Sequence, residues 1–130
     1  GHNSNYTPAQ THVPFIVVGP NVPKNIGSGW GEKFTSHEDI VPTLMSSYLG
    51  VTNPSKDYST GVDLFGKVTN RPWMLISSYS GYGVVSKNAI LEVGAAGQSA
   101  YMDKTNHPKD GSPNFKYVQQ ALEQISRCRK

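Results

Sequence analysis

The segment VPFIVV (13–18) is an unbroken apolar run rich in β-branched residues and closed by Gly19-Pro20. Such a run predicts a strand covered on both faces, with Pro14 suited to its first residues or to a sheet edge. A second buried strand is expected at RPWMLISS (71–78). SGYG (80–83) breaks it. YGVVS (82–86), AILEV (89–93) and SAYMD (99–103) then alternate with turn signals at Lys87-Asn88 and Gly94 to Gln98. That rhythm predicts an antiparallel meander.

Two segments carry helical spacing. In TSHEDIVPTLMSSYLG (35–50), Ile40, Val41, Leu44, Met45, Tyr48 and Leu49 fall on one face and predict its core side. Thr35 with Glu38, or Ser36 with Asp39, fits a capping pair. Pro42 is tolerated in a first turn, so the helix proper should begin near Asp39, and Gly50 is its natural left-handed stop. In the last segment Ser112 is the expected cap and Pro113 the first residue. Phe115, Val118, Leu122 and Ile125 are its expected core face. Between the two, Val62, Leu64 and Phe65 form a short apolar piece fit to plug a surface groove. The sum is α+β, a mostly antiparallel sheet with two main helices packed on it. Two helices are few to cover a sheet whose first strand is apolar on both sides. Such a strand belongs better in a larger α/β sheet.

Composition narrows the classes. The 130 residues suit one domain, and 13 Gly with 9 Pro favour short elements joined by turns. The net charge of +3 comes from scattered Lys and Arg, apart from Arg127, Arg129 and Lys130, where cations complement a helix C-terminus. There is no basic stripe and no RNA-binding motif, so nucleic acid is not an expected partner. The single cysteine, Cys128, excludes an internal disulfide framework and a Cys-based zinc site. No apolar run reaches the roughly 18 residues of a spanning helix.

Candidate chemistry is sparse. The glycines of GPNVPKNIGSGWGEKF (19–34) lack the Lys-Ser/Thr and the strand–turn–helix frame of a phosphate loop. No G-x-S-x-G elbow and no pair of helical His ligands occurs. His12 and His107 read as loop residues. His37, beside Glu38 and Asp39, reads as part of a capped helix start. Asn5-Tyr6-Thr7 matches a glycosylation acceptor, a pattern common by chance. These residues alone assemble no complete set of nucleophile, base and oxyanion or metal partner.

Three phrases together resemble a known family: GHNSNYTPAQTHVPFIVVGP, then SHEDIVPTLMSSYLGV, then GVDLFG. They look like the C-terminal part of a sulfatase-like domain of the alkaline phosphatase superfamily. The nearest likeness is to the inner-membrane sulfatase-like proteins of Gram-negative bacteria. The GHNSNYT phrase is the most specific element; the pattern Asp39-x-x-Pro42-Thr43-Leu44 is shared more widely. The likeness is strongest over residues 1–66 and weak after residue 80.

The resemblance implies that the chain is an interior piece of a larger α/β domain. Residues 1–12 would be a loop from the metal-site region, 13–66 a strand and helix of the main domain, and 71–130 a C-terminal meander and helix. It implies a metal-dependent hydrolase or transferase of phosphate or sulfate esters, in which the metal polarises the ester oxygen and an upstream hydroxyl attacks. The nucleophile and most metal ligands would lie before residue 1, so this chain alone would be inactive and would hold no metal. The divalent ion (zinc, manganese, magnesium or calcium) would sit in the parent.

His2 matches a position beside metal and phosphate in related phosphoethanolamine transferases, where an imidazole either ligates zinc or pairs with an anionic oxygen. Some inner-membrane members serve regulatory or lipid-sensing roles instead. The alternative is therefore a non-catalytic periplasmic module that binds lipid, lipopolysaccharide or a membrane protein. A third reading is a free-standing α+β binding domain, which requires VPFIVV to be covered within this chain. The expected partner is the rest of the same domain, and the expected location the periplasmic side of an inner-membrane protein.

Overall fold

The computed structural model describes residues 6, 11–23, 34–66 and 71–128. In chain order they form a 3-10 turn (His37–Asp39), helix α1 (Ile40–Ser47) and a second 3-10 turn (Ser55–Asp57). Strands β1 (Trp73–Ser78), β2 (Gly81–Ser86), β3 (Ala89–Gly94) and β4 (Ser99–Met102) follow, and then helix α2 (Phe115–Cys128). The class is α+β, as the sequence predicts. Two compact units divide the chain: Ile16–Arg71, and Gly1–Phe15 with Pro72–Lys130.

In the second of these units the expected meander is present. The four strands pair antiparallel in sequence order, with Val84 facing Leu75 on one side and Leu91 on the other. Side chains alternate across a strand. One face therefore carries Trp73, Leu75, Tyr82, Val84, Leu91, Val93 and Tyr101, which with Tyr117, Val118 and Ala121 of α2 form the core. Trp73 stacks on Tyr117 with ring centroids 6.4 Å apart, and its indole N–H donates to Gln120 Oε1 at 2.9 Å.

The face that α2 buries differs from the expected one. Ala121 is completely buried, whereas Phe115 and Leu122 are 71% and 49% exposed. A small residue at the closest point lets the helix sit down on the sheet, and the apolar stripe rotates by about one position. The start also differs. Asn114, not Ser112, caps the helix: its side-chain oxygen accepts the Lys116 amide at 3.1 Å, and its carbonyl accepts the amides of Tyr117 and Val118.

In the other unit α1 begins where expected. Ser36 and Asp39 make the capping box, and Pro42 falls in the first turn. Gly50 closes the segment at φ 67°, and the Val51 amide folds back to the Met45 carbonyl. The expected apolar face is not the buried one. Val41, Leu44, Tyr48 and Leu49 are 43–70% exposed, while Asp39, Pro42 and Thr43 are buried. The segment packed against α1 brings backbone amides, which need polar partners, so the helix turns its polar side inward.

The strand expected at 13–18 is absent. Those residues carry no regular structure, and Ile16 and Val18 are 82% and 89% exposed. A strand needs a neighbour for its N–H and C=O groups, and among the described residues none pairs with this run.

Candidate functional site

Asp39 is a hub of polar contacts within its unit. Its carboxylate is fully buried. Oδ2 accepts the Ser36 amide at 2.7 Å, and Oδ1 accepts the Val62 amide at 2.8 Å. The Arg71 guanidinium pairs with the same Oδ1. One turn later Thr43 donates its hydroxyl to the Asp39 carbonyl at 2.5 Å and accepts the Leu64 amide at 2.8 Å. Ser59 adds a parallel link, donating to the Glu38 carbonyl and accepting the Gly61 amide, both at 3.0 Å.

Together these bonds strap 59–64 across the start of α1. The approach is so close that a Cβ on Gly61 would lie 2.0 Å from the Glu38 carbonyl oxygen. Leu64 is buried as a plug, and Phe65 meets Tyr48 edge to face at 6.0 Å. The Asp-x-x-Pro-Thr-Leu phrase is thus a fastening. Asp39 answers two amides and a cation, and Thr43 answers one amide, so each buried donor finds its acceptor.

The histidines do not converge among the described residues. His2, the candidate beside metal or phosphate, lies outside them, as does Asn5 of the glycosylation pattern. His12 and His37 are exposed. His107 closes a surface turn in which Asp103 Oδ1 accepts the Thr105 hydroxyl at 2.7 Å and the amides of Thr105 and His107 at 2.8 and 3.0 Å. The Thr105 hydroxyl proton being used there, His107 Nδ1 donates to Thr105 Oγ1 at 2.8 Å. The Thr105 hydroxyl above all, then the His107 amide, hold the Asp103 carboxyl below its ordinary value.

The described residues do not fit a metal ion. No three His, Cys, Asp or Glu side chains among them converge, and the buried carboxylate of Asp39 already has both oxygens engaged by protein donors.

Sequence reasoning missed one further group. Tyr6, noted only within the glycosylation pattern, is 6% exposed and lies against the sheet face that α2 does not cover. Its amide donates to Glu92 Oε1 at 3.2 Å and its hydroxyl to Ser78 Oγ at 2.9 Å. The signal in the sequence was Gly83, a bare position between Tyr82 and Val84 in a strand. Arg71 was missed too; nothing in its surroundings links it to a carboxylate 32 residues away.

No family model matches the chain. Two curated proteins show distant similarity to it, the inner membrane protein YejM of Salmonella typhimurium and that of Salmonella typhi. Each is 25% identical over 119 residues, which cover 88% of this chain and 19% of the relative. The chain thus spans about a fifth of the length of the curated relatives it matches. No helix among the described residues is long and apolar enough to cross a membrane. The chain is distantly similar, over most of its length, to one part of an inner membrane protein.

Proposed function

We propose that the chain is the C-terminal portion of a sulfatase-like domain on the periplasmic side of an inner-membrane protein. Its part is to complete and fasten the fold of a metal-dependent phosphate- or sulfate-ester hydrolase or transferase, not to supply the nucleophile. The observation that carries this reading is the exposed VPFIVV run. Its residues have the composition of a strand buried on both faces, yet Ile16 and Val18 are almost fully exposed in this chain. An outer body of the same domain gives them a neighbour. The distant similarity to one part of a longer inner membrane protein agrees with that assignment.

A second reading rests on the Asp39 hub. The buried carboxylate of Asp39 has both oxygens engaged by protein donors, as it would in a non-catalytic module that keeps the fold and binds lipid, lipopolysaccharide or a membrane protein. Turnover separates the two. The protein carrying the whole domain is assayed on p-nitrophenyl phosphate and p-nitrophenyl sulfate with zinc, manganese, magnesium or calcium. Hydrolysis lost in His2→Ala supports the enzyme. Absence of turnover by a folded whole domain supports the module. Turnover by this chain alone would refute both.

A further inference from the structure

Helix α1 has its polarity reversed. Asp39 at its N-cap and Thr43 one turn on are buried against the 59–64 strap. Val41, Leu44 and Tyr48, at i, i+3 and i+7, lie on the opposite side and are almost half exposed. Leu49, just past the last turn, is more exposed still. Phe65 extends this apolar side through its edge contact with Tyr48. From residue 40 to residue 55 the sequence has no charged side chain, so the outer face lacks the charges that a helix presents to water. A helix of eight residues is marginal without packing, and the strap holds one side of it.

We propose, resting on the larger-domain reading above, that this face of α1 is an interaction surface for the rest of the same protein, and that it covers the sheet in which VPFIVV is a strand. Sequence order points to that occupant. A run with the composition of a buried strand is followed by a helix with one apolar side. Both are bare within one compact unit, at Ile16 and Val18 and at Val41 and Leu44. That is the order of a strand–helix crossover, in which the helix lies on a face of the sheet its strand belongs to. One contact then answers two needs, cover for the sheet and an apolar neighbour for the helix.

Two other occupants fit less well. A helix lying in a lipid surface carries Lys or Arg along a free polar face. The polar face of α1 is spent on the strap, and around the helix Glu38, Asp57 and Asp63 outnumber Lys56. A second copy would need more area. Eight residues make a helix about 12 Å long, a small part of the roughly 800 Å² that each partner of a stable dimer buries. A contact within one polypeptide does not incur the loss of translational and rotational freedom that two molecules do, so a patch of this size suffices. The chain spans about a fifth of the length of the curated relatives it matches, and a longer chain of that kind has residues to supply the sheet.

Thiol labelling tests this. Val41→Cys, Leu44→Cys and Ile16→Cys are each made in this chain and in the protein carrying the whole domain. Reaction with a maleimide is followed at each position by peptide mass. Two positions on α1 keep the test open if one variant fails to fold. Labelling at 41, 44 and 16 should be at least a hundredfold slower in the whole protein than in this chain. It should be equally slow in detergent micelles and in vesicles of phosphatidylethanolamine and phosphatidylglycerol. Slowing at 16 without slowing at 41 or 44 overturns the proposal and leaves the larger-domain reading standing. Slowing at 41 and 44 without slowing at 16 overturns the pairing of α1 with the sheet that holds VPFIVV. No slowing at any position overturns both. Slowing at 41 and 44 that needs vesicles and is lost in micelles makes the occupant lipid. Labelling of this chain that quickens on dilution makes it a second copy. Either result overturns the proposal.

Discussion

Asp39 Oδ1 accepts the Val62 amide at 2.8 Å and so ties the start of α1 to a segment 23 residues later. The same oxygen meets Arg71, whose side chain is 19% exposed while that of Asp39 is fully buried. Removing one partner leaves a buried charge and stranded amides. Asp39→Ala should therefore lower stability by about 3–5 kcal/mol, read from urea unfolding. Thr43→Val keeps the shape but leaves the Leu64 amide without its acceptor. It should cost about 1–3 kcal/mol. A loss below about 0.5 kcal/mol for Asp39→Ala would mean that the hub does not hold this unit together.

Gly61 tests the closeness of the strap. A methyl group there collides with backbone, not with a flexible side chain. Gly61→Ala should destabilise by at least the 1–3 kcal/mol typical of overpacking, about as much as removing Thr43. Thermal melts of the two variants should run together.

The helix–sheet contact makes a contrasting pair. Ala121 is fully buried and Leu122 is half exposed. Ala121→Leu should cost about 1–3 kcal/mol by forcing α2 off the sheet. Leu122→Ala should cost about 1 kcal/mol or less, since little apolar surface leaves the core. If residue 122 proves the more sensitive, the face of α2 has been assigned wrongly.

The turn at Asp103 should respond to acid. Its folded carboxyl titrates below the ordinary value of 3.8, first because of the Thr105 hydroxyl and then because of the His107 amide. With the folded pKa below the unfolded one, the contribution is present above that ordinary value and is lost as pH falls through the lower folded one. The amide shifts of Thr105 and His107 should move together in an NMR titration, with a midpoint below 3.8. Asp103→Asn should abolish the transition.

The meander was legible in the sequence because each device was local. Alternation marked the strands, and Lys87-Asn88 and Gly94 to Gln98 marked the turns. The start of α1 was legible for the same reason, with Ser36, Asp39 and Pro42 within one stretch. The buried faces were not. Leu44 has the spacing of a core residue, yet α1 turns Asp39 and Thr43 inward, because the strap it meets offers bare amides. Ala121 carries less hydrophobic weight than Leu122 and still sits at the centre of the α2 contact, because closeness decided the packing. VPFIVV shows the same limit from the other side. Its composition states what environment the run needs, and that environment is not found among the described residues. Tyr6 and Arg71 depended on partners 86 and 32 residues away, which no local pattern encodes.

Hydrogen exchange at the Phe15 to Val18 amides decides whether VPFIVV is a strand of a larger domain. In this chain alone those amides should exchange at nearly the rate of an unstructured peptide. In the protein carrying the whole domain they should be protected at least a hundredfold, as ladder amides in a buried sheet are. Equally fast exchange in both would contradict the account and leave 13–18 as a surface segment.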